Sequence, residues 1–347
     1  MTVPVRFRLR KWAGFFIFHR YSQQRTVYIK KSKGDFIMKK IISIFLAFAL
    51  CASLCIATTS CGSNTDFTVG IVQLMEHESL DKATQGFIDA LTAELEKEGK
   101  TVDFDTQVAG GADLCTTVVN TLTAKNVDLI MANATPALLA AANGTMNGKT
   151  PVLGTSVTDY VDTFAGNIPT NVTGTSDAVP FNEQANMMVE SLNLVAGDQV
   201  GVLYCTNESN SVIQYEAVKA EFEAKGIVVK AYTFSETTEL QAIVTNAANE
   251  CKAIYVPSDN TVADNDSVVG VICNDKKVPV YTSYGGKICY ASLAIDYYQL
   301  GYETGLMAAQ ILLGQKTPSD IEIKTLTPTV SYNKDLCDQL GIVVPAE

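Results

Sequence analysis

The most informative absence in this chain of 347 residues is arginine, which does not occur after Arg25. Without arginine, the rest of the chain cannot clamp a carboxylate or phosphate with a bidentate guanidinium group. Eleven of the 26 basic residues but only one of the 37 acidic residues precede Cys61, which leaves 15 lysines and 36 acidic residues beyond it. Such an acidic body argues against nucleic acid and anionic lipid as partners, because both are bound through clustered positive charge.

Residues that carry catalytic or metal-binding chemistry are also scarce after Cys61. His77 is the one histidine there, Trp12 lies upstream, and the sequence contains no CxxC pair with metal-ligand spacing, no G-x-S-x-G motif and no P-loop. We therefore expect no enzymatic activity, no cofactor and no metal site. The region holds six cysteines, several in apolar runs, and we expect buried free thiols rather than a disulfide framework: Cys115, Cys205, Cys251, Cys273, Cys289 and Cys337.

The segment that ends at Cys61 has the form of a bacterial export signal. Met38 and two lysines precede an apolar run over 41–57, which small residues at 58–60 follow. The cysteine that comes next, followed by Gly and Ser, is similar to the lipidated cysteine of bacterial lipoproteins. We expect 38–60 to be a lipoprotein signal peptide and Cys61 to be the lipidated N-terminus; a transmembrane anchor and simple secretion are the alternatives.

Residues 1–37 need a separate explanation, because a signal peptide normally starts at its own methionine. This segment mixes arginine and aromatic residues without periodicity, and Lys33–Asp35 can be encoded by a purine-rich ribosome-binding sequence. We interpret Met38 as the true start and 1–37 as an upstream mis-start. Residues 61–66 are then a short tether in front of the folded part.

From Phe67 onward, strand and helix patterns alternate strictly, which predicts parallel sheets. The pattern then repeats: VGIVQLMEHES resembles VGVLYCTNESNS, NVDLIMANATPA resembles CKAIYVPSDNTV, and KTPVLGTSVTD resembles KVPVYTSYGG. A repeat of this length indicates two similar α/β domains. A stretch rich in Thr, Asn and Gly over Asn167–Asp177 is interpreted as the linker between them.

Polar side chains are concentrated where the predicted strands end, in both halves of the chain. Ligands of open parallel sheets bind outside these carboxyl ends, and two such lobes that face each other form a cleft. The polar residues there are Gln73, Glu76, His77, Thr135, Thr158, Asp159, Asn207, Glu208, Asn210, Ser211, Ser258, Asp259, Asn260 and Asp296, and all except Ser258 are predicted to bind ligand. Helix capping explains several of them equally well, among them Asp259, Asn260, Ser211 and Asp296.

A zwitterionic ligand suits this set of residues. The helix start at Thr135-Pro136 offers free backbone N–H groups to a carboxylate where arginine is absent. An acid such as Asp159, Asp259 or Asp296 suits an ammonium group. Four aromatic residues are candidates for covering the side chain of an amino acid: Phe181, Tyr204, Tyr284 and Tyr297.

The chain resembles the substrate-binding lipoproteins of ABC transporters, in the family that binds tryptophan and other aromatic or apolar amino acids. VGIVQLMEHESLDKATQGF, LIMANATPA, SVTD, VGVLYCTNESNSVIQ, AIYVPSDNTVA and AIDYYQLGYETG carry the similarity, which extends from about Phe67 to the C-terminus. The resemblance implies a type I periplasmic-binding-protein fold, with two Rossmann-like lobes joined by a three-strand hinge that closes on a ligand. It also implies docking to a membrane permease with its ATPase, and we expect a monomer outside the cytoplasm.

On this resemblance we predict 67–176 with 291–317 as the N-terminal lobe, and 177–290 with 318–347 as the C-terminal lobe. Capture of an amino acid for import is the leading hypothesis. Binding of a nucleoside or a sugar is an alternative, and so is sensing of a ligand rather than import. A two-lobed racemase would need cysteines at matching strand ends, whereas Cys205 matches Leu74.

Overall fold

The computed structural model describes residues 65–146 and 148–345. The predicted signal peptide, its cysteine at position 61 and the segment before Met38 lie outside the described residues. Within the described part of the chain, no helix is long and apolar enough to cross a membrane.

The first lobe is built on a six-stranded sheet in the order β2-β1-β3-β4-β5-β11, in which all neighbouring strands are parallel. Its strands are β1 Phe67–Gln73, β2 Val102–Val108, β3 Leu129–Asn133, β4 Val152–Val157, β5 Val172–Ser176 and β11 Lys324–Thr325. The helices α1 Glu78–Lys97, α2 Cys115–Ala124, α3 Thr135–Gly144 and α4 Tyr160–Thr163 connect them. Every residue of β3, β4 and β5 is buried, as expected for central parallel strands covered on both faces.

The second lobe repeats this plan with a sheet in the order β7-β6-β8-β9-β10-β12, in which only the β10–β12 pair is antiparallel. Its strands are β6 Gln199–Cys205, β7 Val228–Phe234, β8 Ala253–Val256, β9 Val280–Thr282, β10 Ala291–Ala294 and β12 Thr329–Tyr332. Its helices are α5 Phe181–Ser191, α6 Ser209–Ala224, α7 Thr237–Glu250, α8 Asn260–Asp264, α9 Asp266–Lys276 and α11 Lys334–Leu340. The predicted pair of similar α/β lobes is therefore confirmed.

The chain crosses between the lobes three times, and two crossings differ from the predicted boundaries. The first crossing follows β5. The second follows β10, because Ala291–Ala294 extends the second sheet beside β9 and the chain returns to the first lobe only at 295–296. The third follows β11, whose two residues pair with β5 in the first sheet, so this crossing lies at 326–328 rather than before 318.

The long helix α10, Tyr297–Leu312, belongs to the first lobe and packs closely against α1. Glycines allow this approach: a Cβ on Gly301 would lie 1.8 Å from the carbonyl oxygen of Ala83, and one on Gly86 would lie 2.1 Å from that of Tyr298. The tight contact fixes α10 against the first sheet, and with it the crossing that immediately precedes the helix.

Two further predictions about elements are wrong. Asn167–Asp177 is not only a linker, because it contains the fully buried strand β5. The helix predicted over Val262–Asn274 is two helices, α8 and α9, which meet at Asn265. The prediction for the cysteines is confirmed, since all six in the described part of the chain are free and buried.

Candidate functional site

The carboxyl ends of the central strands of both sheets face each other across the crossings. There the lobes enclose a cavity of about 10 Å³, which we call the central cavity. Its walls come from the first lobe, the second lobe and the crossings: His77, Leu80, Ser156, Asp177, Ser258, Asp259, Asn260, Ala263, Tyr284 and Tyr297. A volume of this size holds about one water molecule, so the lobes are closed against each other.

Two larger clefts adjoin this region. The hinge-side cleft, of about 630 Å³, shares His77, Ala263, Tyr284 and Tyr297 with the central cavity and extends to Asp296. The front cleft, of about 580 Å³, lies between the loop at Gly110–Asp113 and the loops around Asn207 and Ser235 of the second lobe. The central cavity is thus the innermost part of a seam that widens toward the hinge.

Several buried polar atoms at this seam have no hydrogen-bond partner. Among the described residues these include Thr135 Oγ1, Ser156 Oγ, Asp177 Oδ1, Asn210 Oδ1 and the hydroxyl of Tyr284. Ser156, Asp177 and Tyr284 line the central cavity. A buried polar atom without a partner destabilises a protein by about 1–3 kcal/mol, so a cluster of them at one seam indicates a place where a polar ligand binds.

The backbone is strained at the strand ends of the first lobe. Ala134, between β3 and α3, has φ 89°, and Ser156, near the end of β4, has φ 56°. Non-glycine residues rarely adopt this left-handed region, and such conformations are concentrated at functional sites. Here the strain places Thr135 at the start of α3, which contacts α6 of the second lobe.

Asp177 is the acid that the structure brings into the central cavity with an unpartnered oxygen. It follows β5 in the first crossing, and its Oδ2 accepts a hydrogen bond of 2.9 Å from the hydroxyl of Tyr297 at the start of α10. Burial raises the pKa of the Asp177 carboxyl, against the opposing effect of the Tyr297 hydrogen bond. A cationic group beside Oδ1 would satisfy the carboxylate and restore its charge.

Two predicted ligand-binding acids of the second lobe have structural roles in this arrangement. Glu208 accepts four hydrogen bonds from the backbone and side chains of Asn260 and Thr261, which hold the start of α8. Asp259 lines the central cavity, but its oxygens accept from the backbone N–H groups of Val262 and Cys205. Burial and then the nearby Glu208 raise the pKa of Asp259.

Within residues 65–146 and 148–345, two direct hydrogen bonds join the lobes. His77 Nε2 lies 3.3 Å from Asn260 Oδ1, and Asn260 donates its own amide to Glu208, so the histidine is the donor. Burial lowers the pKa of His77. The second bond runs 3.0 Å from Gln214 Nε2 to Thr158 Oγ1. Thr158 and Asn260, both predicted to bind ligand, therefore also hold the lobes together.

The remaining predicted site residues do not line the central cavity. Gln73 is buried, but its amide bonds Met75, Asp81 and Thr84 within the first lobe. Asp159 and Asp296 cap α4 and α10. Glu76 and Asn207 are exposed, whereas Asn210 and Ser211 are buried on the inner face of α6.

Ser156, Asp177 and Gln214 belong to the seam but were missed as site residues. Ser156 precedes the predicted Thr158 by two positions and gave no separate signal. The sequence pattern places Asp177 in a linker, because the strand before it lacks an apolar run. Gln214 lies within a helix, where a polar residue is normally predicted to face solvent, but only 2% of it is exposed.

Comparison with known proteins identifies the family. Residues 68–347 match the family model described as ABC transporter substrate binding protein. The chain belongs to the ABC transporter substrate-binding protein family. Members of this family bind solutes outside the cytoplasm and are not enzymes, which agrees with the prediction from the sequence.

Individual relatives support the same assignment. A curated protein of Clostridioides difficile (strain R20291), named tyrosine-binding protein, is 33% identical over 331 residues, which cover 88% of this chain and 93% of the relative. A Streptococcus pneumonia domain solved in complex with L-Trp is 31% identical with a TM-score of 0.71, and covers 80% of this chain and 96% of its own.

A ligand-free, open structure of a Clostridium difficile substrate-binding protein with adhesive properties allows the lobe arrangement to be compared. It is also 31% identical and covers 81% of this chain and 96% of its own, but its TM-score is 0.60. At equal identity, the chain is therefore more similar to the L-Trp complex than to the open structure. This agrees with the closed seam around the central cavity.

Proposed function

We propose that this substrate-binding protein captures a zwitterionic amino acid with an aromatic or apolar side chain between its lobes and delivers it to an ABC permease and its ATPase. The observation that carries the proposal is the set of unpartnered buried atoms in the central cavity, above all Asp177 Oδ1. The names of the tyrosine-binding relative and of the L-Trp complex support the choice of ligand.

In this proposal Asp177 binds the ammonium group, because it combines a buried carboxylate with an unpartnered oxygen. The hydroxyls of Ser156 and Thr135 and the uncapped start of α3 receive the carboxylate. The side chain extends toward the hinge-side cleft past Tyr284 and Tyr297, where there is room for an aromatic ring. The central cavity is too small for an amino acid, so entry requires the lobes to separate and to close again around the ligand.

Thermal-shift screening of residues 65–347 against amino acids, sugars and nucleosides tests this function, followed by calorimetry of each hit. We expect L-Tyr, L-Trp or L-Phe to raise the melting temperature, because binding to the folded state alone stabilises it. Tyramine, which lacks the carboxylate, is expected to bind more weakly than L-Tyr. A response to sugars or nucleosides without any response to amino acids would refute the proposed ligand class.

We further propose that Cys61 is lipidated after removal of 38–60, and that the protein acts as a monomer held at the outer face of the cell membrane. The support is the sequence pattern before the cysteine. Expression of the full chain in a bacterial host is expected to place wild-type protein in the membrane fraction and the Cys61→Ser variant in the soluble fraction. Intact mass and size-exclusion chromatography then check the processed N-terminus and the oligomeric state.

A further inference from the structure

The buried glutamine of α6 occupies a special position at the seam between the lobes. Gln214 is on the inner face of the helix and is almost fully buried. Its Nε2 donates to Thr158 Oγ1 in the first lobe, and its Oε1 accepts from the backbone N–H of Ser258 in the second lobe at 2.9 Å. The side chain of Gln214 is thus hydrogen-bonded to a residue of each lobe.

Both partners of this glutamine are tied to the central cavity. Ser258 lines it, and the carbonyl of Ser258 is held by Asn210 one helical turn before Gln214. The carbonyl of Thr158 accepts a hydrogen bond from Ser176, the residue before Asp177. The polar chain therefore runs from the residue beside Asp177 in the first lobe, through Thr158 and Gln214, to Ser258 in the second.

The two hydrogen bonds of Gln214 differ in the state of the lobes that each one requires. The bond between Gln214 and Ser258 lies within one lobe and survives when the lobes separate. The bond between Gln214 and Thr158 joins the lobes and exists only when they are closed. A buried amide with this geometry stabilises the closed form selectively, because in the open form the same Nε2 and Oγ1 atoms return to water.

We propose that Gln214 is a closure latch, a positioning residue that lengthens the residence of the ligand without touching it. Because the latch acts through closure on a ligand, it rests on the proposed binding function. Loss of the latch raises the dissociation rate, whereas association, which starts from the open form, changes little. It is a different element from the second contact between the lobes, which His77 and Asn260 form.

A double-mutant cycle with L-Tyr and L-Trp as probes tests the latch. Gln214→Met keeps the length of the side chain and removes its hydrogen bonds, and Thr158→Val removes the hydroxyl at nearly constant shape. Each variant is expected to raise the dissociation rate about 2- to 13-fold, the range for one neutral hydrogen bond. The double variant is expected to be no weaker than Gln214→Met alone, because both changes remove the same bond.

Matched controls separate the latch from general destabilisation. Gln184 is a buried glutamine whose Oε1 accepts a hydrogen bond from Tyr255 in the same lobe, and Thr145 is a buried threonine bonded within the first lobe. Gln184→Met and Thr145→Val are expected to leave the dissociation rate unchanged, whatever their effect on the melting temperature. The effects of Gln214→Met and Thr145→Val on the dissociation rate are expected to be additive. Additive effects of Gln214→Met and Thr158→Val would overturn the latch.

A measurement without ligand keeps the latch distinct from the binding function. Spin labels at the exposed positions Glu98 and Ala224, one in each lobe, report the distribution of distances between the lobes. The closed population is expected to be smaller in Gln214→Met than in wild type and unchanged in Gln184→Met. If no amino acid binds wild type, the proposed ligand is wrong, yet this comparison still decides the latch. Equal closed populations in wild type and Gln214→Met would refute it.

Discussion

The replacement Asp177→Asn gives the sharpest separation between binding and stability. In the wild-type protein the buried carboxylate has one oxygen bonded to Tyr297 and the other unpartnered in the central cavity. An asparagine has almost the same shape and can still accept from the tyrosine. It lacks the charge, however, and its amide group would face the ammonium group of a ligand.

The expected loss of affinity follows from this contact. A hydrogen bond to a charged group contributes about 1.5–3 kcal/mol, which corresponds to about 10- to 150-fold in Kd. The stability of the ligand-free protein, in contrast, should not decrease in this variant. Burial raises the pKa of Asp177, so its neutral form stabilises the fold at low pH, and this contribution is lost as the pH rises through the raised pKa. Asparagine has no such loss, so the variant is expected to be at least as stable at neutral pH.

Isothermal titration with L-Tyr or L-Trp measures the affinity, and chemical denaturation at several pH values measures the stability. Asp103→Asn is the matched control, since Asp103 is exposed on β2 of the same lobe and the net charge changes equally. The control should leave the Kd unchanged. An Asp177→Asn protein that binds the wild-type ligand within twofold of the wild-type Kd would refute the assignment of this carboxylate. Parallel losses of affinity and stability would show a structural role instead.

Three further changes test the closed seam and the fold. Burial in the closed seam disfavours protonation of His77, so we expect ligand affinity to be constant above about pH 6.5 and to fall at lower pH. In titrations from pH 5 to 8, His77→Gln should flatten this pH dependence, and an equally steep profile would contradict the role of His77. Glu208→Ala removes the acceptor of four buried hydrogen bonds and should lower the free energy of unfolding by about 3 kcal/mol, whereas a loss below about 0.5 kcal/mol would show that α8 does not need it. Gly301→Ala forces a methyl group against Ala83 and should destabilise by about 3 kcal/mol, measured by urea unfolding. Gly99→Ala, whose methyl group meets no atom but whose φ is 66°, is expected to cost only the backbone strain and hence clearly less.

The regular part of the fold could be predicted because its information is local. Buried parallel strands are apolar runs, helices follow with their own period, and the repeat of three strand ends shows two lobes. The crossings could not be placed in the same way. β11 has only two residues, and β5 consists of small and hydroxyl residues, so neither has the apolar signal of its neighbours.

The candidate site was predictable only as a region. Polar residues at strand ends mark the seam, but their partners are distant in the sequence and decide their roles. Gln73 bonds Thr84, and Glu208 holds the helix start at Asn260, 52 residues away. Neither distance nor burial can be read from the residue itself. Capping and ligand binding need the same side chains, and only tertiary contacts distinguish them.

The absence of arginine after Arg25 and the state of the buried acids together restrict what the central cavity can bind. Asp177 and Asp259 are the acids that line it, and each Asp259 oxygen already accepts a backbone N–H. Asp177 thus remains as the acid with an unpartnered oxygen for one cationic group. A ligand carboxylate has to rely on hydroxyls and backbone dipoles, which are uncharged and directional. A zwitterion matches both the acid and the uncharged donors. A dianion would instead place a negative charge against Asp177 in a closed seam where salt screens poorly.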